Sequence, residues 1–353
     1  MSNPPSEPLD GLPGCALRPV GFGDLPGFAA DDHGAAFALF AQHAAAVIAN
    51  AAALRSAVPA SEALRAVCRR ALDRSVTTDA EARSFLEENF QPYRLMPETG
   101  HGFVTGYYEP VVPGSLTRTA EFTTPLRGLP EHAPDPYPTR AEIEAGALDG
   151  VAAPLVFLRD KVEVFFAQVQ GSLRVALADG RTLRLTYAGR NGHPYTSIGK
   201  WLVAAGELQA DDVDMDRVKA WIRDKGEAPD APGGALMLRN NSYVFFAENT
   251  ALGAEDGPIG GAGLPLKMLR SIAVDRTIWS YGLPFFLAAD LPWQSETVSP
   301  FRRLMIAGDT GSAILGPARA DIFFGSGDAA GARAGTIRHR CDFTVLLPCE
   351  RLS

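Results

Sequence analysis

At 353 residues the chain is long enough for two ordinary domains, or one domain carrying a large insertion. Hydrophobic residues make up 46% and charged residues 21%, a globular balance, and the 35 glycines and 27 prolines point to a turn-rich, mainly β architecture. The net charge of −8, with the arginines scattered, argues against nucleic acid as a partner, because phosphate binding needs clustered Lys and Arg; a neutral-sugar polymer is compatible with it.

The four cysteines, Cys15, Cys68, Cys341 and Cys349, form no CxxC pair, so neither a zinc nor a redox motif is expected. The spacing of Cys341 and Cys349 permits a disulfide across adjacent strands if their Cβ atoms approach; buried free thiols are the equal alternative. No run of about 20 apolar residues marks a transmembrane helix. Residues 1–13 are polar and proline-rich and lack the basic and apolar regions of a secretory signal. Leu12-Pro13-Gly14-Cys15 matches a lipoprotein box only faintly, and with no apolar run before it Cys15 reads as incidental.

Three helices are expected first. Asp31 and Asp32 can cap one over residues 34–56, closing before Pro59. Residues 61–73 carry Leu64, Val67, Cys68 and Leu72 at helical spacing, and Thr78-Asp79-Ala80-Glu81 is a capping box for a helix through Asn89. This helical lead-in is expected to pack on the outside of a β domain. From Gly102 the character changes: residues 103–109 read as a strand, as do residues 162–170, with Val162, Val164 and Phe166 on one face. Residues 174–178 and 181–187 flank Asp179-Gly180, the strongest hairpin signal in the chain. Helices over 197–205 and 212–225 stop at Gly206 and Gly226. Residues 226–234, dense in Gly and Pro, are the best linker candidate. Short strands follow at 243–248, 272–274, 285–288, 303–307, 321–324 and 343–347, a spacing that suggests a barrel.

Common catalytic signatures are absent. There is no GxSxG elbow, no HExxH, no complete phosphate-loop or dinucleotide pattern, and the six histidines are dispersed; neither a metal nor a cofactor is expected. What remains is carboxylate chemistry. Asp309 sits in Gly308-Asp309-Thr310-Gly311, Asp328 follows Gly325-Ser326-Gly327, and Asp321 opens the apolar strand Asp321-Ile322-Phe323-Phe324. An apolar strand is a costly setting for a charge, so a partly buried Asp321 is expected to keep its proton near neutral pH, as an acid that protonates a glycosidic oxygen must. On composition alone the alternative stays open that all three are solvated turn residues.

The chain resembles the membrane-bound lytic murein transglycosylase A family. The resemblance rests on Thr105-Gly106-Tyr107-Tyr108-Glu109-Pro110, Val169-Gln170-Gly171-Ser172, Tyr187-Ala188-Gly189-Arg190-Asn191-Gly192-His193-Pro194-Tyr195, Ser197-Ile198-Gly199-Lys200 and Asn241-Ser242-Tyr243-Val244-Phe245-Phe246. Residues 264–347 look like the family's three-aspartate domain, with Asp309-Thr310-Gly311-Ser312-Ala313-Ile314, Arg319-Ala320-Asp321-Ile322-Phe323-Phe324-Gly325 and Gly327-Asp328. The resemblance covers roughly residues 20–350 and implies a mainly β fold with N-terminal helices. In it a double-psi β-barrel domain, residues 1–111 and 235–353, carries a smaller inserted β domain, residues 112–234, with glycan in a groove between them. It further implies cleavage of peptidoglycan glycan strands by Asp321 as a single acid and then base, closing a 1,6-anhydro ring, with Asp309 and Asp328 in support. Thr105, Tyr107, Gln170, Ser172 and Lys200 become candidate sugar contacts, and the expected location is the periplasm or outer-membrane periphery of a bacterium. A non-catalytic glycan-binding barrel is the competing reading.

Overall fold

The computed structural model describes residues 9–349 apart from residues 99, 133, 210–212, 214, 254 and 255. They pack as two units, each with its own contacts: the first takes residues 1–107, 255–325 and 332–353, the second residues 108–254 and 326–331.

The chain begins with the hairpin strands β1 (Leu9–Leu12) and β2 (Cys15–Pro19), followed by α1 (His33–Ile48), α2 (Glu62–Asp73) and α3 (Asp79–Asn89). Local chemistry sets each helix start: the side chains of Asp32, Ser61 and Thr78 accept from backbone N–H groups in the first turn, and Glu81 completes the capping box at Thr78. The first helix stops at Ile48, earlier than residue 56, because Asn50 turns left-handed (φ 49°). In α2 the buried stripe is Leu64, Val67, Cys68 and Ala71, while Leu72 is exposed. Phe37 and Phe40 of α1 meet Phe85 of α3 with ring centroids 5.0 and 6.3 Å apart. Burying each such ring contributes about 1.5–3 kcal/mol, which ties the helical lead-in to the unit's core.

Strands β3 (Phe90–Pro97) and β4 (Phe103–Glu109) follow, and β4 carries the chain from the first unit into the second. There the elements are β5 (Val111–Gly114), β6 (Thr124–Arg127), α4 (Arg140–Glu144), β7 (Pro154–Leu158), α5 (Lys161–Gln170), β8 (Ser172–Leu177), β9 (Thr182–Arg190), α6 (Ile198–Ala204), α7 (Met215–Lys225), α8 (Pro232–Leu238) and β10 (Val244–Glu248). Strands β10, β9, β8 and β5 form one sheet, antiparallel except for β5 beside β8, and β6 pairs with β7. The hairpin expected at Asp179-Gly180 is present, with Gly180 at φ 86°.

Two expectations fail in this unit. Residues 162–170 form helix α5, not a strand. Asp160 caps it, Gly171 ends it at φ 79°, and it is buried on two sides. Val164 and Ala167 pack on the sheet, whereas Val162, Phe165 and Phe166 pack on α6, α7 and α8. A helix apolar on both sides loses the one-faced period that identifies it. Residues 226–234 are no linker: the chain turns at Gly226 and enters α8 at Pro232, with Gly233 and Gly234 buried. The expected helix start at Asp212 lies outside the described residues; α7 begins at Met215.

The remaining elements are β11 (Ser271–Val274), β12 (Pro284–Leu291), β13 (Ser299–Asp309), β14 (Arg319–Ser326), α9 (Asp328–Thr336), β15 (Arg338–Arg340) and β16 (Asp342–Pro348). Ten strands pair in the order β1-β2-β3-β16-β12-β13-β11-β14-β4-β15. The mainly β class with leading helices holds, but among the described residues this order is open and does not close into a barrel. Cys341 and Cys349 are not disulfide-bonded: they flank the two ends of the single strand β16, which a bridge cannot span. Cys15 is buried at the start of β2, and no described helix is long and apolar enough to cross a membrane.

Candidate active site

Strand β11 runs between β13 and β14, and one small residue in it organises the site. Ala273 lies in register with Asp309 on β13 and with Asp321 on β14. Residues in register share a face of the sheet, so both carboxylates rise on the same side. They stand two strand spacings apart, about 9–10 Å between backbones. The methyl group of Ala273 leaves the surface between them low.

Strand β4 supplies the neighbours. Thr105 and Tyr107 alternate with Gly106 and so point to one face. The Thr105 hydroxyl donates to Oδ1 of Asp321 at 2.7 Å, and the Tyr107 hydroxyl donates to Oδ2 of Asp309 at 2.9 Å. The Tyr107 ring also rests on Phe323, with centroids 5.4 Å apart. Close approach of β4 depends on Gly106: a Cβ there would lie 2.8 Å from the backbone of Ala334 and 3.0 Å from the Phe324 ring. Thr105 in turn accepts a hydrogen bond from Arg319 at 2.7 Å. The Arg319 guanidinium is held by the carbonyl of Ala320 and lies over the Phe103 ring, 5.7 Å from its centroid.

Asp309 is the more enclosed of the pair in hydrogen bonds. Its Oδ1 accepts from the Gly261 N–H at 2.7 Å, an approach only glycine allows, since a Cβ at 261 would lie 2.5 Å from the Tyr281 hydroxyl. Arg55 anchors the same loop through the carbonyl of Thr310.

Burial raises the Asp321 carboxyl above the ordinary aspartate value; Arg319 and the Thr105 hydrogen bond hold it back, and Asp309 adds a smaller push upward. Asp309 is raised by burial too, against Arg55, the backbone N–H groups and Tyr107. Asp321 is still partly exposed, so an acid of this kind meets solvent or substrate while keeping its proton nearer neutrality than a surface aspartate.

The other candidates lie in the second unit. Asp328 opens α9 and, with Asp216 and Glu163, adds to the burial that pushes the Tyr108 phenol up to about 12. Gln170 ends α5; its Oε1 is buried without a partner among the described residues, and it lines a small pocket with Tyr108, Phe166, Met215 and Lys219. Ser172 is buried at the start of β8, and Lys200 is exposed on α6. Among the described residues no group of three or more His, Cys, Asp or Glu is placed to hold a metal ion.

Sequence reasoning singled out Asp321, Asp309, Thr105 and Tyr107, which the first unit brings together, but gave no role to Arg319, Arg55, Gly261 or Ala273. Arg319 had a usable signal: two residues before Asp321 on a strand, it shares that residue's face. Ala273 and Gly261 had none, because their importance comes from pairing and contact between distant segments.

Two family models match the chain: the MltA specific insert domain over residues 103–247 and the 3D domain over residues 270–347. Membrane-bound lytic murein transglycosylase A of Vibrio cholerae is 35% identical over 246 residues, 68% of this chain and 64% of that protein. The Escherichia coli protein of the same name is 37% identical over 242 residues, 67% of this chain and 62% of its own length. The match thus spans less than two thirds of these curated relatives. Among solved structures, a membrane-bound lytic murein transglycosylase from Agrobacterium tumefaciens superposes with a TM-score of 0.83 at 35% identity, covering 94% of this chain and 97% of that one. MltA from Neisseria gonorrhoeae gives 0.79 at 30%, covering 99% and 96%. Escherichia coli MltA with bound chitohexaose gives 0.71 at 27%, covering 98% and 96%.

Proposed function

The chain belongs to the membrane-bound lytic murein transglycosylase A family, and on that premise we propose that it cleaves peptidoglycan glycan strands without water, with Asp321 as the single acid and base. The observation that carries this reading is the setting of Asp321: a raised, partly exposed carboxyl with one oxygen held by Thr105.

Protonated Asp321 donates to the oxygen joining N-acetylmuramic acid to N-acetylglucosamine. The C1–O bond breaks with oxocarbenium character, and the N-acetylglucosamine side leaves with its hydroxyl restored. The Asp321 carboxylate then takes the proton of the muramic acid C6 hydroxyl as that oxygen bonds to C1, forming the 1,6-anhydro ring. The attack is intramolecular, so neither a second catalytic carboxylate nor an enzyme nucleophile is needed. Asp309 supports the site by adding negative charge on the same face, and Asp328 is a second supporting residue. Tyr107, Gln170, Ser172 and Lys200 are sugar contacts in this reading; the Oε1 of Gln170, without a partner among the described residues, and the exposure of Lys200 support two of them. The chitohexaose bound to the Escherichia coli relative supports a β-1,4-linked glycan as ligand.

The finer fold reading, a double-psi β-barrel of residues 1–111 and 235–353 with residues 112–234 inserted, belongs to the same proposal. The barrel is supported by β13 and β14, consecutive strands that flank β11 on either side, and the insertion by the insert-domain match, whose bounds, residues 103–247, are wider than 112–234 and reach into β10. A cell-envelope location, periplasmic or at the outer membrane, is supported by the relatives' names.

Asp321→Asn tests the role of the carboxyl. It should abolish release of soluble fragments from purified sacculi while leaving binding of chitooligosaccharides intact. Unchanged release would remove Asp321 from the mechanism, and a wild type that binds glycan but never releases fragments would make the chain a binding protein.

A further inference from the structure

Thr105 has one hydroxyl proton, and the hydrogen bonds around it fix where that proton points. Its oxygen accepts from Arg319 at 2.7 Å, so its own O–H is aimed at Oδ1 of Asp321, also at 2.7 Å. We propose that Arg319 and Thr105 are positioning residues that hold Oδ1 of Asp321 as an acceptor, confine the transferable proton to Oδ2, and stabilise the carboxylate left after donation. This deepens the transglycosylase reading and rests on it. It moves Thr105 from the sugar contacts to the acid's own support, since its single donor is already committed.

Arg319 acts on Asp321 in two ways, by its charge and through its hydrogen bond to Thr105; its own geometry is set by the Ala320 carbonyl and the Phe103 ring. Other groups near the carboxyl are few. On β4, Tyr107 is committed to Asp309; on β13, Asp309 is the charged neighbour; β11 has no titratable residue; on β15, exposed Arg338 lies in register with Thr105, and His339 lies opposite Val104. The directions agree with this picture, since Thr105 and Arg319 both favour the ionised form of Asp321 against burial. Proton donation converts Asp321 to the charged form, so the relay gives more stabilisation after transfer than before it, which is the condition for a rate effect.

The test uses the full chain as wild type, Thr105→Val, Thr105→Ser and Arg319→Gln. The Asp321 carboxyl is followed by carbon-13 NMR titration, with its signal assigned by its loss in Asp321→Asn. Thr105→Val and Arg319→Gln should titrate at higher pH than wild type, and Thr105→Ser as wild type. On sacculi, the alkaline limb of the rate profile should move up in the same two variants. Their plateau kcat should fall roughly ten- to a hundredfold with KM unchanged, the size expected for one charge-assisted hydrogen bond. An unmoved Asp321 titration in Thr105→Val, or a raised KM with kcat intact, overturns the proposal. Should Thr105→Val not fold, Arg319→Gln decides by the same titration. If the wild type yields no anhydro product, the functional reading fails, and the NMR titration still decides whether the relay exists.

Discussion

At the scale of the residue, the burial of Asp321, the proposed acid, costs stability near neutral pH. In the unfolded chain it titrates as an ordinary aspartate, near about pH 3.9. Folding raises that value, chiefly by burial. The folded state therefore binds the proton more tightly, and the carboxyl's contribution is most favourable below the unfolded value and is lost as pH rises through the folded one. Asparagine keeps the acceptor for Thr105 and does not titrate. Asp321→Asn should then melt above the wild type near neutral pH, with the advantage shrinking as the pH falls toward about 4. A melting difference that stays constant across this range would mean that the carboxyl titrates in the fold as it does in solution. The sequence carried part of this: a charge opening the run Ile322-Phe323-Phe324 predicts burial and a retained proton. It did not carry Thr105, which is 216 positions away, nor the hydrogen bond by which Arg319, two residues before Asp321, reaches that hydroxyl.

At the scale of the element, β4 is the strand that presents Thr105 and Tyr107, and Gly106 between them sets how close it sits. A Cβ at 106 meets backbone atoms of Ala334, which cannot swing aside as a flexible side chain would. Gly106→Ala should therefore cost about 1–3 kcal/mol in denaturant unfolding and lower the activity by displacing Thr105. Full stability with full activity would show that α9 moves aside freely. Legibility at this scale followed the strength of local signals. The capping box at Thr78, the Asp179-Gly180 turn and the short C-terminal strands were readable because each is written in a few adjacent residues. Helix α5 was not, because its Val-Glu-Val-Phe-Phe run alternates as a strand does while burying two sides.

At the scale of the whole molecule, the first unit draws on three separated stretches of chain, so its stability depends on contacts that join them. The clearest is Asp31, after β2, with Arg270, before β11. Their side chains are each 4% exposed and meet through two hydrogen bonds of 2.9 Å, and Asp31 also accepts from the Leu304 N–H of β13. Removing one partner leaves the other charge buried: Asp31→Ala should cost about 3–5 kcal/mol in unfolding free energy, whereas replacing both with apolar residues of similar size should cost less. Equal losses in the single and double variants would mean that the pair, not the orphaned charge, carries the energy. The mainly β class with helices first was legible from composition and spacing. Which strands pair was not, because β11 beside β13 and β16 beside β3 are long-range choices without a local signature.

The central claim, a single acid working without water, is tested most directly by the mass of the fragments released from purified sacculi. Muropeptides ending in 1,6-anhydro-N-acetylmuramic acid, lighter by one water than hydrolysed ends, are expected from the wild type and none from Asp321→Asn. Hydrolysed ends from the wild type, or anhydro ends from Asp321→Asn, would contradict it.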